Sequence, residues 1–250
     1  MSRSERWVIW LLVLAAFIWS AWSTEVSARR AVEGAPFMLD FIRRMMPPDF
    51  SVLGNAVTGA VQTLEIAVVG TLTAAVLALP LGFAAARNAA PAWLFYSMRS
   101  VLNVFRAVDT LVYALFFVAA VGLGPFPGVL AVIVYTAMVL AKLYSEAVEA
   151  IDPGPVEAVK AVGATRLQVL RWGVLPQLVP QFLSFTLYRF ETNVRAAAIL
   201  GFVGAGGIGF YLQTYLRTLN YPAASAVLLV LVALVMIVDF ASSRLRARLI

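Results

Sequence analysis

Apolar stretches long enough to cross a bilayer recur along the whole sequence. An α-helix needs about 20 apolar residues to span the hydrocarbon core, and six segments approach or exceed that length: 7–22, 57–86, 93–121, 128–143, 180–202 and 223–240. Hydrophobic residues make up 62% of the 250 and charged residues only 13%, a balance that suits lipid rather than water as the solvent. The sequence therefore predicts an all-α membrane protein with about six transmembrane helices.

The first apolar segment has two interpretations. Arg3 and Arg6 precede it, and Val26-Ser27-Ala28 follows it as a small-residue sequence typical of signal-peptide cleavage sites. A transmembrane helix gives six spans, whereas a cleaved signal peptide leaves five. The orientation of the other spans is the same in both cases.

Basic residues indicate the orientation, because cytoplasmic loops carry an excess of Lys and Arg. If the segment between the fourth and fifth spans is cytoplasmic, nine basic residues face inward: Arg3, Arg6, Arg87, Lys160, Arg166, Arg171, Arg244, Arg246 and Arg248. Five face outward: Arg29, Arg30, Arg43, Arg44 and Arg217. The net charge of +6 is scattered between apolar runs without forming a patch, so nucleic-acid binding is not expected.

The external segment 23–56 holds four of the five outward arginines. Its acids match them in number: Glu25, Glu33, Asp40 and Asp49. Four apolar side chains are spaced for one helical face: Phe37, Met38, Phe41 and Ile42. We therefore expect a folded amphipathic segment, and we divide the chain into an N-terminal transmembrane helix plus external loop, 1–56, and a membrane core, 57–250.

Two residue types that dominate enzyme active sites are missing. The chain has no cysteine and no histidine, which excludes disulfides, thiol nucleophiles, cysteine or histidine metal ligands and the commonest general base. No clustered carboxylate motif offers a substitute. We therefore expect no catalytic residue, no metal site and no cofactor in this chain.

The segment 145–178 is too polar to cross the membrane. Pro153 and Pro155 follow Asp152, as at the cap and first turn of a helix. Gly163 breaks the helical pattern, Ala164 and Thr165 restart it, and a second helix is predicted to end near 175–176. The sequence predicts a helix–turn–helix at the cytoplasmic membrane surface.

This segment resembles the EAA loop of ABC importer permeases. The resemblance rests on Glu157-Ala158-Val159, on Gly163-Ala164 and on Leu175-Pro176 at the family's spacing, with Gly173 where the family usually has Ile. In that family the loop forms a coupling helix that docks into a groove of a cytoplasmic ATPase subunit. The alternative is an ordinary amphipathic helix at the membrane surface.

ATP binding is not expected in the chain itself. The Walker A sequence is absent, and neither of the two lysines, Lys142 and Lys160, follows a glycine. The resemblance therefore implies that ATP and Mg²⁺ bind a separate ATPase polypeptide.

A second resemblance, to the phosphonate permease family, covers about residues 60–240. It rests on five groups of residues: Gly70-Thr71 with Pro80-Leu81-Gly82, Gly122 to Phe126 with Gly128 to Ala131, Lys142 with Glu146, Tyr188 to Arg195, and Gly201 with Gly204 to Gly209. The chain departs from the family after Arg106, where Val108-Asp109 replaces an expected proline. The resemblance implies a type I importer permease (MetI-like) fold in the bacterial inner membrane. It also implies transport of phosphonate or a related oxyanion (phosphite, hypophosphite, phosphate ester) delivered by a periplasmic or lipid-anchored binding protein.

Charged residues inside apolar spans are costly and usually face a cavity or each other. Glu191 and Arg195 are spaced to pair on one helix face, as are Arg106 and Asp109. No acid lies three or four residues from Arg189, and Asn193 cannot neutralise it. We assign these six residues to a translocation pathway for anions, because guanidinium suits phosphorus oxyanions. The alternative is that Arg189 pairs with Glu65 or another helix only for assembly.

The glycine cluster near residue 205 has two interpretations. Gly201, Ala205 and Gly209 recur every four residues, which favours close helix packing. Alternatively, four glycines form a bent external loop that touches the binding protein: Gly204, Gly206, Gly207 and Gly209.

The predicted partners are ATPase subunits, a binding protein and the lipid bilayer. One chain offers one coupling loop and an ATPase pair needs two, so a homodimer is the simplest assembly, with a second, different permease as the alternative. Two other functions stay open from the residues. One is an ABC permease for another small solute. The other is an ion-driven transporter that uses Glu65, Asp109 and Glu191 as relays.

Overall fold

Helices form every regular element in the part of the chain that the structure describes, residues 3–25 and 27–247 of a computed structural model. Val26 and Arg248, named above, lie outside these ranges. Five helices are long and apolar enough to cross a membrane, or six if one bent pair counts as a single span. The all-α prediction of about six spans is confirmed.

Contacts divide the chain into two units, Met1–Met46 and Pro47–Ile250. The boundary predicted after residue 56 stays a prediction. The first unit holds α1 (Arg3–Ser23), which is apolar on all sides, and α2 (Ala28–Arg44).

Helix α2 is amphipathic. Arg29 pairs with Glu33 at 2.7 Å and Arg44 pairs with Asp40 at 2.8 Å, each one turn apart. Phe37 follows Glu33 by one turn and so shares the charged side, whereas Ile42 lies on the opposite side. Phe37 therefore does not belong to the apolar face that the sequence predicts for this helix.

The second unit is built around α3 (Leu53–Ala84), which packs against α6 (Pro125–Glu149) and α9 (Leu175–Leu200). A Cβ atom added at Gly70 would lie 2.5 Å from Val132 Cγ1, and one added at Gly82 would lie 2.8 Å from Tyr144 Cβ. Glycine at these positions lets the α3 and α6 backbones approach closely, as is typical of membrane helix pairs.

The third predicted span is broken. Helices α4 (Ala92–Arg106) and α5 (Thr110–Val121) meet at a bend of 80°. Asp109 caps α5 by accepting a hydrogen bond of 2.9 Å from the Leu111 N–H, and Tyr113 Oη donates to the Phe105 carbonyl across the bend at 2.7 Å. The span predicted over 93–121 therefore consists of two helices joined at a bend, and a cap takes the place of the family's proline.

The ends of α3, α4 and α6 are tied together. Glu149 accepts hydrogen bonds from Arg99 at 2.8 Å and from the Arg87 N–H at 2.7 Å. Asn88 Nδ2 donates to the Val148 carbonyl at 2.7 Å. These contacts explain why α6 continues to Glu149, six residues beyond the predicted end of the fourth span.

The remaining helices complete the core. Two short helices, α7 (Pro153–Ala161) and α8 (Arg166–Val169), lead into the π-helical segment Leu170–Val174 and then into α9. The predicted helix end near Leu175-Pro176 is wrong. Pro176 lies in the first turn of α9, where a missing N–H is tolerated. Two more helices follow, α10 (Ile208–Arg217) and α11 (Tyr221–Arg246).

Candidate functional site

The turn between α7 and α8 is defined by its caps. Asp152 Oδ1 accepts a hydrogen bond from the Gly154 N–H at 2.9 Å, and Pro153 occupies the first position of α7. The chain reverses at Gly163, whose φ of 77° suits glycine. Thr165 then caps α8, and its N–H donates to Gln168 Oε1 at 2.8 Å. The predicted helix–turn–helix is present.

The six residues predicted to couple to an ATPase fall into three places. Glu157 and Ala158 are exposed on α7, and Leu175 and Pro176 are exposed at the start of α9. Gly163 and Ala164 line a surface cavity of about 480 Å³ with Trp172. The structure thus brings Gly163 and Ala164 together with a tryptophan that the sequence analysis did not select.

The surface around this turn is apolar and exposed. Val162, Leu167 and Trp172 are exposed by 83%, 74% and 63%. Exposed apolar side chains grouped at a turn are typical of a contact surface for another protein.

Gln177 joins the base of α9 to the start of α7. Its Oε1 accepts from the Asp152 N–H at 3.0 Å, while its Nε2 donates to the carbonyls of Asp152 at 3.2 Å and Gly173 at 2.8 Å. We call this arrangement the Gln177 clamp. Gly173 packs against α7, and a Cβ added there would lie 3.1 Å from Val156 Cα. A larger residue at 173 would push the two segments apart, which explains the departure from the family's Ile.

The predicted pair on α9 is confirmed and is part of a larger network. Glu191 Oε1 lies 2.7 Å from Arg195, and Glu191 Oε2 lies 2.7 Å from Arg246 on α11. Arg195 also contacts Asp239 on α11 at 2.7 Å. These four side chains, the α9–α11 network, tie the two helices together.

Arg189 lies six residues before Arg195 and has a different environment. Its guanidinium lies 5.4 Å from the centre of the Tyr135 ring and donates to Asn193 Oδ1 at 3.4 Å. Its Nε is buried without a hydrogen-bond partner. Within residues 3–25 and 27–247 it forms no ion pair, so the alternative pairing with Glu65 is not observed.

Asn193 is buried where three helices meet. It donates to Thr71 Oγ1 on α3 at 2.8 Å, and Thr136 Oγ1 on α6 donates to its Oδ1 at 3.1 Å. These contacts orient the amide and direct its oxygen toward Arg189.

The predicted pair between Arg106 and Asp109 does not form. The α4 helix ends at Arg106, and the carboxylate of Asp109 caps α5 instead. The three-residue spacing requires a continuous helix, and the bend removes it. Arg106 is exposed.

The glycine cluster forms a tight turn between α9 and α10. Gly204, Gly206 and Gly207 have φ angles of 83°, 75° and 77°, which L side chains rarely adopt. The Ile208 N–H donates to Thr63 Oγ1 on α3 at 2.9 Å, and a Cβ at Gly209 would collide with the Ala198 carbonyl.

Contact of the glycine cluster with a binding protein stays a prediction. The glycines bend the chain and also allow close packing, but Gly201, Ala205 and Gly209 do not share one helix. A cavity of about 270 Å³ opens beside the turn, with Gln62, Pro125 and Tyr211 in its lining.

Sequence reasoning missed the long-range partners of α9. Asp239 is an acid inside the last span, and that alone could have indicated a partner within the membrane. Gln177, Tyr135 and Thr136 give no comparable signal, because polar or aromatic residues at their positions are common. In the described part of the chain, no three acidic side chains come together as ligands for a metal ion.

Known proteins share both the sequence and this architecture. The family model for the binding-protein-dependent transport system inner membrane component matches residues 78–250. The chain is 43% identical to the phosphite transport system permease protein PtxC of Stutzerimonas stutzeri over 88% of this chain and 81% of that protein. It is 44% identical to the phosphate-import permease protein PhnE of Mycolicibacterium smegmatis over 83% of this chain but only 39% of that longer protein.

A solved structure has the same fold. The MetNI methionine ABC transporter in an inward-facing conformation matches with a TM-score of 0.70 and 27% identity, over 81% of this chain and 99% of that chain. The family match covers more than half of the sequence, and the apolar helices provide its membrane spans. This chain belongs to the family of binding-protein-dependent transport system inner membrane components, the membrane-spanning permease subunits of ABC importers.

Proposed function

We propose that this permease carries phosphite, phosphonate or a related phosphorus oxyanion inward across the inner membrane. The observation that carries the substrate class is the 43% identity, over most of both chains, to a permease named for phosphite transport. An unpaired arginine within the spans supports the same class, because guanidinium favours phosphorus oxyanions.

The α7–α8 turn is proposed as the contact with a cytoplasmic ATPase subunit. Exposed Glu157 and Ala158 present α7 to the partner, Gly163 and Ala164 shape the cavity, and Leu175-Pro176 begin the span that moves. The exposed apolar surface at Val162 and Trp172 supports this role. The Gln177 clamp supports it as well, because a rigid link between α7 and α9 would transmit displacement of α7 directly.

The chain is proposed to have no ATPase site of its own, so that ATP and Mg²⁺ bind the partner subunits. Two ATPase subunits need two coupling surfaces. A homodimer of this chain supplies both, and a pair with a second, different permease would do the same.

The glycine turn is proposed as the contact for the external binding protein. Gly204, Gly206, Gly207 and Gly209 hold the turn in a shape that larger residues would change. The neighbouring cavity offers a place for a side chain of the binding protein. The binding protein would select the oxyanion, and the permease would need only a weak site.

The translocation pathway is proposed to include Arg106, Arg189 and Asn193. Three other candidates support its walls: Asp109 caps α5, while Glu191 and Arg195 join α9 to α11. Closure of the ATPase dimer would move α7, and through it α9, and so switch the pathway between outward and inward access.

The test is ATP hydrolysis by the permease reconstituted with its ATPase and binding protein. We compare wild type with Glu157→Lys, which reverses an exposed charge on α7. We take the lost contact to be worth about 1.4 kcal/mol, which lowers the affinity between permease and ATPase about tenfold. Hydrolysis stimulated by phosphite-loaded binding protein should fall by about the same factor. Glu33→Lys on α2 is the matched control and should leave hydrolysis unchanged.

Three results would contradict the proposal. An ATPase that never associates with wild type would refute the assembly. Stimulated hydrolysis that is equal in Glu157→Lys and wild type would refute the role of α7. Stimulation by a different solute, with none by phosphite or phosphonate, would refute the substrate class.

A further inference from the structure

Arg189 is a basic side chain inside a membrane helix that is half-buried and has no acidic partner among the described residues. Four others in the helical core pair with a carboxylate at 3.0 Å or less: Arg99, Lys142, Arg195 and Arg246. Arg189 has no such pair in the described residues, and its Nε is buried and unsatisfied. A guanidinium half-buried between membrane helices without a counter-charge is unfavourable, so its retention needs a reason other than stability.

The neighbours of Arg189 position it without neutralising it. The ring of Tyr135 lies against the guanidinium, which favours a cation but supplies no negative charge. Asn193 accepts one long hydrogen bond of 3.4 Å, and its amide is held by Thr71 and Thr136. Nε is enclosed, and one terminal nitrogen donates to Asn193. The other N–H donors of the two terminal nitrogens have no partner among the described residues and can meet an acceptor that comes from outside the chain.

The site lies deep within the helix bundle. Arg189 is 14 residues from the start of α9 and 11 from its end, or about 21 Å and 17 Å at 1.5 Å per residue. Thr71 and Thr136 also lie in the middle of their helices. An anion reaching Arg189 would therefore be about halfway along the spans.

We propose that Arg189, positioned by Tyr135 and Asn193, is a transient binding site for the translocated oxyanion. This inference rests on the proposed transport function and adds a specific residue to it. A planar guanidinium can donate two parallel hydrogen bonds to oxygens of a phosphorus oxyanion. The bound anion would supply the acceptors that Arg189 lacks.

The surroundings indicate where the anion goes next. On α6, Lys142 and Glu146 follow Tyr135 by 7 and 11 residues and share its helix face. They lie nearer the α7 end of the helix and neutralise each other at 3.0 Å. A cation without a counter-charge, followed by a neutral pair, can bind an oxyanion and still release it, as conduction requires.

The test measures uptake of radiolabelled phosphite by proteoliposomes that contain the complete transporter. Wild type is compared with Arg189→Gln and Arg189→Lys. We expect Arg189→Gln to lower uptake about tenfold to hundredfold, the factor typical of charge-assisted hydrogen bonds. Arg189→Lys keeps the charge but lacks the planar guanidinium that donates two parallel hydrogen bonds. Its uptake should therefore lie between that of wild type and that of Arg189→Gln.

A pH series separates anion binding from a structural role. The ratio of Arg189→Gln uptake to wild-type uptake should fall further at the pH where phosphite carries two charges than where it carries one. If that ratio is the same at both pH values, or if Arg189→Gln takes up phosphite like wild type, the inference is overturned. Should Arg189→Gln fail to assemble, the same series with Arg189→Met, which also removes the charge, decides.

The two proposals fail in different ways. If wild-type vesicles take up no phosphite while hydrolysing ATP in response to another solute, the proposed substrate class fails. If wild type transports phosphite and Arg189 variants do so equally well, only this inference fails.

Discussion

Two arginines on α9, six residues apart, show opposite solutions for a charge inside a membrane helix. Arg195 contacts two carboxylates at 2.7 Å, one on its own helix and one on α11. Arg189 rests on an aromatic ring and one amide oxygen. On α9, the arginine with carboxylate partners therefore joins two helices. Arg189, which has no carboxylate partner, can instead bind a ligand.

The largest loss of stability is expected where one carboxylate serves two arginines. Glu191→Gln removes the charge shared by Arg195 and Arg246 and leaves both cations without it. Because the Glu191 side chain is only 12% exposed, the loss should approach about 3 kcal/mol. The melting temperature of the solubilised protein measures it, and an unchanged value would show that the α9–α11 network is not structural.

A somewhat smaller loss is expected at Asn193. Asn193→Leu removes the acceptor of Thr136 and the donor to Thr71 in a fully buried place. Leaving two buried hydroxyls with one partner fewer should cost about 2 kcal/mol. Thermal melting tests this, with Asn55→Leu as the control, because Asn55 is exposed and makes one hydrogen bond to Tyr215.

The Gln177 clamp should affect coupling more than stability. Gln177→Ala loses three hydrogen bonds that are partly exposed, at a cost of about 1 kcal/mol. A looser joint between α7 and α9 should lower the phosphite transported per ATP hydrolysed while hydrolysis continues. Gln213→Ala on α10 removes a single bond to Phe202 and serves as the control. Equal transport per ATP in both variants would show that the clamp does not transmit motion.

The smallest change in stability is expected at Arg189, where the largest change in uptake is expected. Arg189→Gln removes a half-buried cation that has no counter-charge, so the free energy of unfolding should change by no more than about 0.5 kcal/mol. The change in melting temperature should be much smaller than that of Glu191→Gln. A loss as large as that of Glu191→Gln would break the comparison and make Arg189 a structural residue.

Local spacing predicted the elements that depend on neighbours in sequence. The apolar runs located the spans, and four-residue spacing predicted the Glu191–Arg195 pair. The partners on α11 could not be predicted, because Asp239 lies 44 positions from Arg195. The same holds for Thr71, which lies 122 positions from Asn193.

The end of α6 and the bend before α5 were not predicted, for a different reason. The end of α6 depends on contacts of Glu149 with residues 50 to 62 positions away. The bend before α5 needs only a capping aspartate, a residue that also occurs in ordinary polar turns. Tertiary contacts therefore decide where the helices end, while composition decides that they are helices.

The π-helical segment Leu170–Val174 has a consequence for scanning experiments. Its hydrogen bonds join residues five apart, as from the Leu175 N–H to the Leu170 carbonyl, so the turn holds one residue more than an α-turn. The helical periodicity of exposed positions before this segment does not continue in phase after it. Accessibility profiles from labels placed along 166–200 should therefore show a phase slip of about one residue, and one helical wheel drawn across the whole stretch would assign labels to the wrong side.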